Sequence, residues 1–243
     1  VAVLGDCKHT LAAVLELVKP ARHAEWVDSF EEHLERESTT VIEPEIHPSE
    51  GPIKMGEVVR KVTEMTDNKA ILVTDVGQNQ MLAARYFKFT ERRSIVTSGG
   101  MGTMGFGWPA AFGAPDRTEC LFLGDGGIQM TIQELGTIME QRSPVKIILL
   151  NNNYLGNVRQ WQEMFFGKRY SFTPMMNPDY NMIASAYGIP NRTVTERDEL
   201  ASGIQEMIDT DGPFLLQVAV IEEGRVLPMC CPGNDVDDMV LDY

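Results

Sequence analysis

Cysteine is scarce: Cys7, Cys120, Cys230 and Cys231 are four among 243 residues, and none stands in a CxxC pair or at metal-ligand spacing. That excludes a disulfide scaffold and a thiolate metal centre, and it points to reduced thiols in the cytoplasm. Positive charge is also short, with 21 Lys and Arg against 35 Asp and Glu and a net charge of −14. Such a balance repels phosphate backbones and anionic lipid at long range, so nucleic acid and membrane surfaces are excluded as partners. No apolar run approaches the roughly 18 to 20 residues that cross a bilayer, and no basic stretch followed by a hydrophobic one opens the chain. Repeats and low-complexity tracts are absent too. What remains is a chain 43% hydrophobic, long enough for one full domain and an extra piece.

The patterning locates that piece. Val1 to Leu4 reads as a strand, followed by Leu11, Val14, Leu15 and Val18 at helical spacing, so the chain is expected to begin inside a longer protein. Trp26, Phe30 and Leu34 stand four apart among charges, and the run Glu43-Pro44-Glu45-Ile46-His47-Pro48 is expected to be irregular. Residues 1–37 are thus read as the end of a preceding central domain and 38–52 as a linker. Residues 53–243 are read as the main domain, which opens with a helix whose apolar face is Met55, Val58, Val59, Val62 and Met65. Extended runs at Ala70 to Thr74, Ser94 to Thr97, Cys120 to Leu123, Val145 to Leu150 and Phe214 to Val220 then alternate with helical patterns. The fold class expected is α/β, a mostly parallel sheet with helices on both faces. Ligands of such sheets bind at the carboxyl ends of strands, which directs attention to the loops after Thr74, Leu123 and Leu150.

Two of those loops carry chemistry. Gly124-Asp125-Gly126-Gly127 follows a strand and precedes a helix expected from about Thr131; its glycines let the backbone approach an anion such as a diphosphate. Asp125 is an odd residue to aim at phosphate unless a cation lies between. Asn151-Asn152-Asn153 ends the next strand, and Asn152 follows Asp125 by 27 residues, about one helix-and-strand unit. A carboxylate, an amide oxygen, a backbone carbonyl, two diphosphate oxygens and a water make the set of about six oxygens that magnesium prefers. Taken singly, each motif also reads as a tight turn or a helix cap.

The pair resembles the thiamine diphosphate fingerprint of the decarboxylase and carboligase superfamily. Three further segments are similar to the acetolactate synthase family: Thr74-Asp75-Val76-Gly77-Gln78-Asn79-Gln80-Met81, Thr97 to Gly107 (TSGGMGTMGFG) and Tyr154 to Gln162 (YLGNVRQWQ). The resemblance runs from about residue 52 to Met229, and less specifically over residues 1–37. It implies magnesium held by the side chains of Asp125 and Asn152 and the carbonyl of Tyr154. It implies a diphosphate lined by Gly124, Gly126, Gly127, Leu155, Gly156 and Asn157, and closed over by Val76, Gly77, Gln78 and Asn79. Met104 would wedge between the cofactor rings, bringing the pyrimidine amino group close to the thiazolium proton, and the Gly102 carbonyl would hold that amino group. Trp161 would shape the pocket for the second substrate. Asn79 stands where the family more often has histidine, and Asn157 where it usually has methionine.

The reaction so implied is decarboxylation of pyruvate and joining of the two-carbon unit to a second pyruvate or to 2-oxobutyrate. The resemblance further implies a homodimer or higher homo-oligomer, a regulatory small subunit, and FAD bound mainly by a central domain. The glutamate that serves the pyrimidine ring would come from an N-terminal domain of a partner subunit, so the chain alone is expected to be inactive. Alternatives from the residues themselves stay open: Met101 and Met104 as core methionines, Trp161 as core packing, Arg159 as an anion contact or a solvated charge. Another thiamine diphosphate enzyme (oxoacid decarboxylase, pyruvate oxidase, glyoxylate carboligase) or a binding-only module is the alternative function. A nicotinamide-binding domain is disfavoured, because Gly105-Phe106-Gly107 meets Ala110 where the last glycine of GxGxxG would stand.

Overall fold

A computed structural model describes residues 2–112, 117–231, 233–235 and 237–242, in two compact units, Val1–Ser38 and Thr39–Tyr243. The first unit is helical: α1 (Cys7–Leu17), α2 (Ala24–Asp28) and α3 (Glu31–Glu37). The Asp6 carboxylate caps α1 by accepting from the His9 N–H at 3.2 Å. Residues 2–4 form no strand, contrary to expectation, because no described segment pairs with them; Val1 lies outside the described residues.

A π-helical turn, Ser38–Ile42, begins at the last residue of the first unit, and α4 (Glu43–Ile46) follows it where an irregular segment was expected. Pro44 falls in the first turn of α4, where its missing N–H has no helical partner to lose, and Val41 and Ile46 are buried. Then come α5 (Met55–Met65), β1 (Ile71–Thr74), α6 (Gln78–Tyr86), β2 (Ile95–Val96) and α7 (Gly107–Ala110). They are followed by β3 (Glu119–Gly124), α8 (Asp125–Met130), α9 (Glu134–Gln141), β4 (Lys146–Asn151) and α10 (Gly156–Phe165). The chain continues as α11 (Tyr180–Ala186), β5 (Asn191–Val194), α12 (Arg197–Asp209) and β6 (Phe214–Ala219). The two-residue strands β7 (Met229–Cys230) and β8 (Met239–Val240) pair antiparallel near the end.

Strands β1 to β6 form one sheet in the order β2-β1-β3-β4-β6-β5, and every pairing is parallel. The period-two alternation of its strands divides the core. Leu72, Phe122, Ile148, Leu150 and Leu216 face α5, α6 and α12, whereas Val73, Leu121, Leu123, Ile147 and Leu149 face α7, α8, α9 and α11. The expected α/β class, with helices on both faces of a parallel sheet, is the class observed. Strand β5 escapes the hydrophobicity pattern because it is a half-exposed edge of four residues, Asn191-Arg192-Thr193-Val194. Among the described residues no helix is long and apolar enough to cross a membrane.

Candidate functional site

From β1 the chain steps to β2 on one side, and from β3 it steps to β4 on the other. The gap beyond the carboxyl ends of β1 and β3 is therefore the topological switch point, where side chains of neither neighbouring crossover fill the crevice. A pocket of about 150 Å³ lies there. Val76 to Asn79 line it from β1, Gly124 to Gly127 from β3, and Asn152 with Tyr154 to Asn157 from β4; Met104 projects from the loop before α7. Met55, Leu150 and Val158 join them, though no motif singled them out.

Two nominated residues stand apart. Gly102 is exposed, with a φ of 57°, and does not line the pocket. Trp161 is 38% exposed on α10 and meets Phe165 edge-on at 5.1 Å, which removes the core-packing alternative. Met101, 90% exposed, is no core methionine either. Arg159 is neither solvated nor a pocket anion contact. It is buried, pairs with Glu163 at 3.3 Å and Glu223 at 2.9 Å, and lies over the rings of Tyr154 and Tyr170. Glu163 also accepts from Arg225 at 2.7 Å, and that hydrogen bond leads the causes holding its carboxyl below the usual range.

Helix α8 begins at Asp125 rather than near Thr131: the glycine motif is itself the first turn, and the chain breaks at Thr131 before α9. Gly124, extended, is the N-cap, which puts the Asp125 carboxylate in the first turn, where the helix dipole favours a negative charge. Asp125 is 1% exposed and has no cationic partner among the described residues; Asn177 Nδ2 donates to it at 2.8 Å and the Gly126 N–H at 3.1 Å. Burial pushes its carboxyl above the ordinary range, against those two hydrogen bonds. Asn177 also reaches Asn151 and Asn153, while the Tyr180 hydroxyl donates to the Asp125 carbonyl at 3.0 Å. No motif marks Asn177 or Tyr180, which come from the loop before α11 and from the start of α11.

Asp75 was likewise missed as a functional residue. It is fully buried at the end of β1 and accepts from the N–H groups of Val76 (2.8 Å), Gly105 (2.9 Å) and Gly107 (2.9 Å). It thereby ties the loop that presents Met104 to the sheet. The visible signal was an acid directly after a fully buried four-residue strand, Ile71–Thr74. Gly105, with a φ of 86°, holds a conformation that side chains rarely adopt.

Protein atoms crowd three of the motif glycines: a Cβ on Gly126 would stand 2.6 Å from Leu155 Cδ2, and polar groups crowd Gly127 and Gly156. A Cβ on Gly127 would stand 2.5 Å from Asp75 Oδ1, and one on Gly156 would collide with Gln78 Oε1 and lie 2.7 Å from Asn152 Nδ2. The donor set fits a divalent cation only with help. Among the described residues no group of three His, Cys, Asp or Glu could hold one, so Asp125 needs amide, carbonyl and ligand oxygens beside it. Asn152 can supply one: its buried Nδ2 has no partner, and a half-turn of the amide would present oxygen there at the expense of the 3.3 Å bond that Oδ1 accepts from the Tyr154 N–H. Asn79 Oδ1 is a second buried polar atom of the pocket without a partner.

Fold and site together define an α/β domain whose switch-point pocket is built to take a polar ligand group beside a lone buried carboxylate. The family of the thiamine pyrophosphate enzyme, C-terminal TPP binding domain, matches residues 75–218. The chain is 42% identical over 188 residues to the acetolactate synthase isozyme 2 large subunit of Escherichia coli, covering 75% of this chain and 34% of that protein. It is 38% identical over 246 residues to the acetolactate synthase large subunit of Lactococcus lactis, covering 99% of this chain and 42% of that protein. Among solved structures, a thiamine diphosphate-dependent 4-hydroxybenzoylformate decarboxylase of Rhodococcus jostii superposes with a TM-score of 0.66 at 23% identity, over 72% of this chain and 34% of that one, a likeness of fold. The chain belongs to the thiamine pyrophosphate enzymes, as their C-terminal TPP-binding domain. It spans about two fifths or less of the length of these curated relatives.

Proposed function

We propose that the chain is the diphosphate-binding part of an acetolactate synthase catalytic subunit, acting on pyruvate with pyruvate or 2-oxobutyrate as acceptor. The observation that carries this reading is the pocket itself. It draws the Gly124 to Gly127, Asn152 to Asn157 and Val76 to Asn79 segments together around a lone carboxylate and two unpartnered amides, in a chain 42% identical to an acetolactate synthase. In this reading Asp125 and Asn152 bind magnesium through side chains and Tyr154 through its carbonyl. A divalent cation would relieve the burial that now pushes the Asp125 carboxyl up. Thiamine diphosphate, when bound, supplies the electron sink for decarboxylation and carboligation. Met104 would give the cofactor an apolar contact and Trp161 would border the acceptor side, while the carbonyl of Gly102, outside the pocket lining, would accept from the part of the cofactor that extends beyond that lining.

Residues 1–37 are read as the end of a central domain that carries FAD, 38–52 as a linker, and 53–243 as the diphosphate domain; the break between compact units at Ser38 supports the first of these boundaries, while residues 39–52 fall within the second unit. The pyrimidine-side glutamate comes from a further domain of a partner subunit, in a cytoplasmic homo-oligomer with a regulatory small subunit. The test is product analysis of the full-length protein on pyruvate, in chelator and with magnesium restored. Acetolactate formed only with the metal is the expected outcome. Free acetaldehyde or acetyl phosphate would assign a different enzyme of the family, and full activity in chelator would remove the metal.

A further inference from the structure

The residue before Trp161 has a role that no motif gives it. Gln78 lines the pocket at 4% exposure, yet its side chain does not point its amide hydrogens at the ligand space. One is donated to Gln160 Oε1 at 3.0 Å and the other to the Gly224 carbonyl at 2.9 Å. A primary amide has two N–H donors, and both are thus committed inward. Gln160, 1% exposed, is committed in turn: its Oε1 also accepts from the Val226 N–H at 2.9 Å and its Nε2 donates to the Val226 carbonyl at 3.1 Å. Gln78 is the first residue of α6, and Gln160 lies on α10 one turn beyond Gly156, that helix's first residue. The two amides therefore fix the starts of α6 and α10 relative to each other and to the 224–226 backbone. Both starts line the pocket, and between them stand the unpartnered Asn79 Oδ1 and Asn152 Nδ2.

We infer that Gln160 is a positioning residue for diphosphate binding, acting through Gln78 to hold the starts of α6 and α10 in register. This rests on the reading that the pocket takes thiamine diphosphate. Gln78 then serves the ligand through its backbone, while its side chain is an internal strut. A strut of this kind has a distinct signature. Its loss leaves the binding groups present but misplaced, so the defect falls on cofactor affinity and is overcome by raising cofactor, instead of falling on turnover.

The test uses the full-length protein with magnesium present. Thiamine diphosphate is titrated by calorimetry into wild type and Gln160→Leu, and apo melting temperatures are measured beside it. The expected result is a Kd raised about tenfold or more, equivalent to about 1.4 kcal/mol, with the apparent cofactor KM raised in parallel. Gln160→Glu keeps the acceptor for Gln78 and Val226 and loses the donor to the Val226 carbonyl, so its Kd should lie between the two. It also serves as the reporter if Gln160→Leu does not fold. A wild type that binds while the soluble variants bind equally well, whatever their melting temperatures, overturns the assignment alone. A wild type that does not bind thiamine diphosphate overturns the pocket reading and the assignment with it.

Discussion

Replacing Asp75 separates the loop that presents Met104 from the sheet, and the hydrogen bonds set the scale. Oδ1 accepts from Val76 at 2.8 Å and from Gly105 at 3.2 Å, while Oδ2 accepts from Gly105 and Gly107, each at 2.9 Å. Asp75→Ala strands the buried N–H donors of Gly105 and Gly107, each costing about 1 to 3 kcal/mol, and frees the part-buried Val76 N–H, so a loss of about 2 to 6 kcal/mol follows. Asp75→Asn keeps the shape and one acceptor oxygen. The cheaper amide orientation turns its NH₂ toward Val76 and leaves the Gly105 and Gly107 bonds in place, a loss of about 1 to 3 kcal/mol. Urea unfolding followed by the fluorescence of Trp108, fully buried and donating to the Ile128 carbonyl at 3.2 Å, reads both losses. Thiamine diphosphate affinity should fall in the same order, wild type above Asn above Ala. A loss under about 1 kcal/mol for Asp75→Ala, or an Asn variant less stable than the Ala variant, would refute the assignment of Asp75 as the anchor of this loop.

Two further outcomes are expected. Trp161 is 38% exposed, so Trp161→Leu opens no closed cavity and should leave the melting temperature nearly unchanged; in the full-length protein the ratio of 2-oxobutyrate to pyruvate used as acceptor should shift severalfold, on the scale of about 1 kcal/mol. An unchanged ratio would remove Trp161 from the acceptor site. Burial pushes the Glu45 carboxyl up to about 7, against the Gly56 N–H at 2.9 Å and the Lys54 ammonium at 3.9 Å. The folded state therefore keeps this proton up to near pH 7 while the unfolded chain releases it near 4.5, so stability falls as pH rises between those values and is level above. The drop is at most about 3 kcal/mol, and Glu45→Gln, which stays neutral and still accepts from Gly56, should flatten it. A variant with the wild-type slope would show that Glu45 titrates normally.

The sheet was legible because its strands are buried on both faces. Ile147 to Leu150 and Cys120 to Leu123 are continuous apolar runs that only a covered parallel sheet accommodates, whereas β5, a half-exposed edge with Asn191 and Arg192, carries no such mark. The pocket was legible for a similar reason, since glycines and asparagines clustered at strand ends report loops that approach something closely. What escaped was the supporting polar shell. Asp75, Gln160, Asn177 and Tyr180 act through partners as far as 82 positions away, the Gln160 contact with Gln78 being the longest of these, and one-dimensional spacing does not encode such contacts. Arg159 escaped similarly, because its acids come from one turn along α10 and from Glu223.

The packing at Gly127 and Gly156 bears on how such sites drift over evolutionary time. Asp75 and Gln78, both locked by their own hydrogen bonds, occupy the space that a side chain at either position would need. A descendant that stopped using the cofactor would still be destabilised if these glycines changed, so purifying selection on the fold alone favours them. Asp125 is under the opposite pressure. A buried carboxylate without a counter-charge is a burden that selection for stability would discard, and its retention in any relative is the better mark of a pocket still in use.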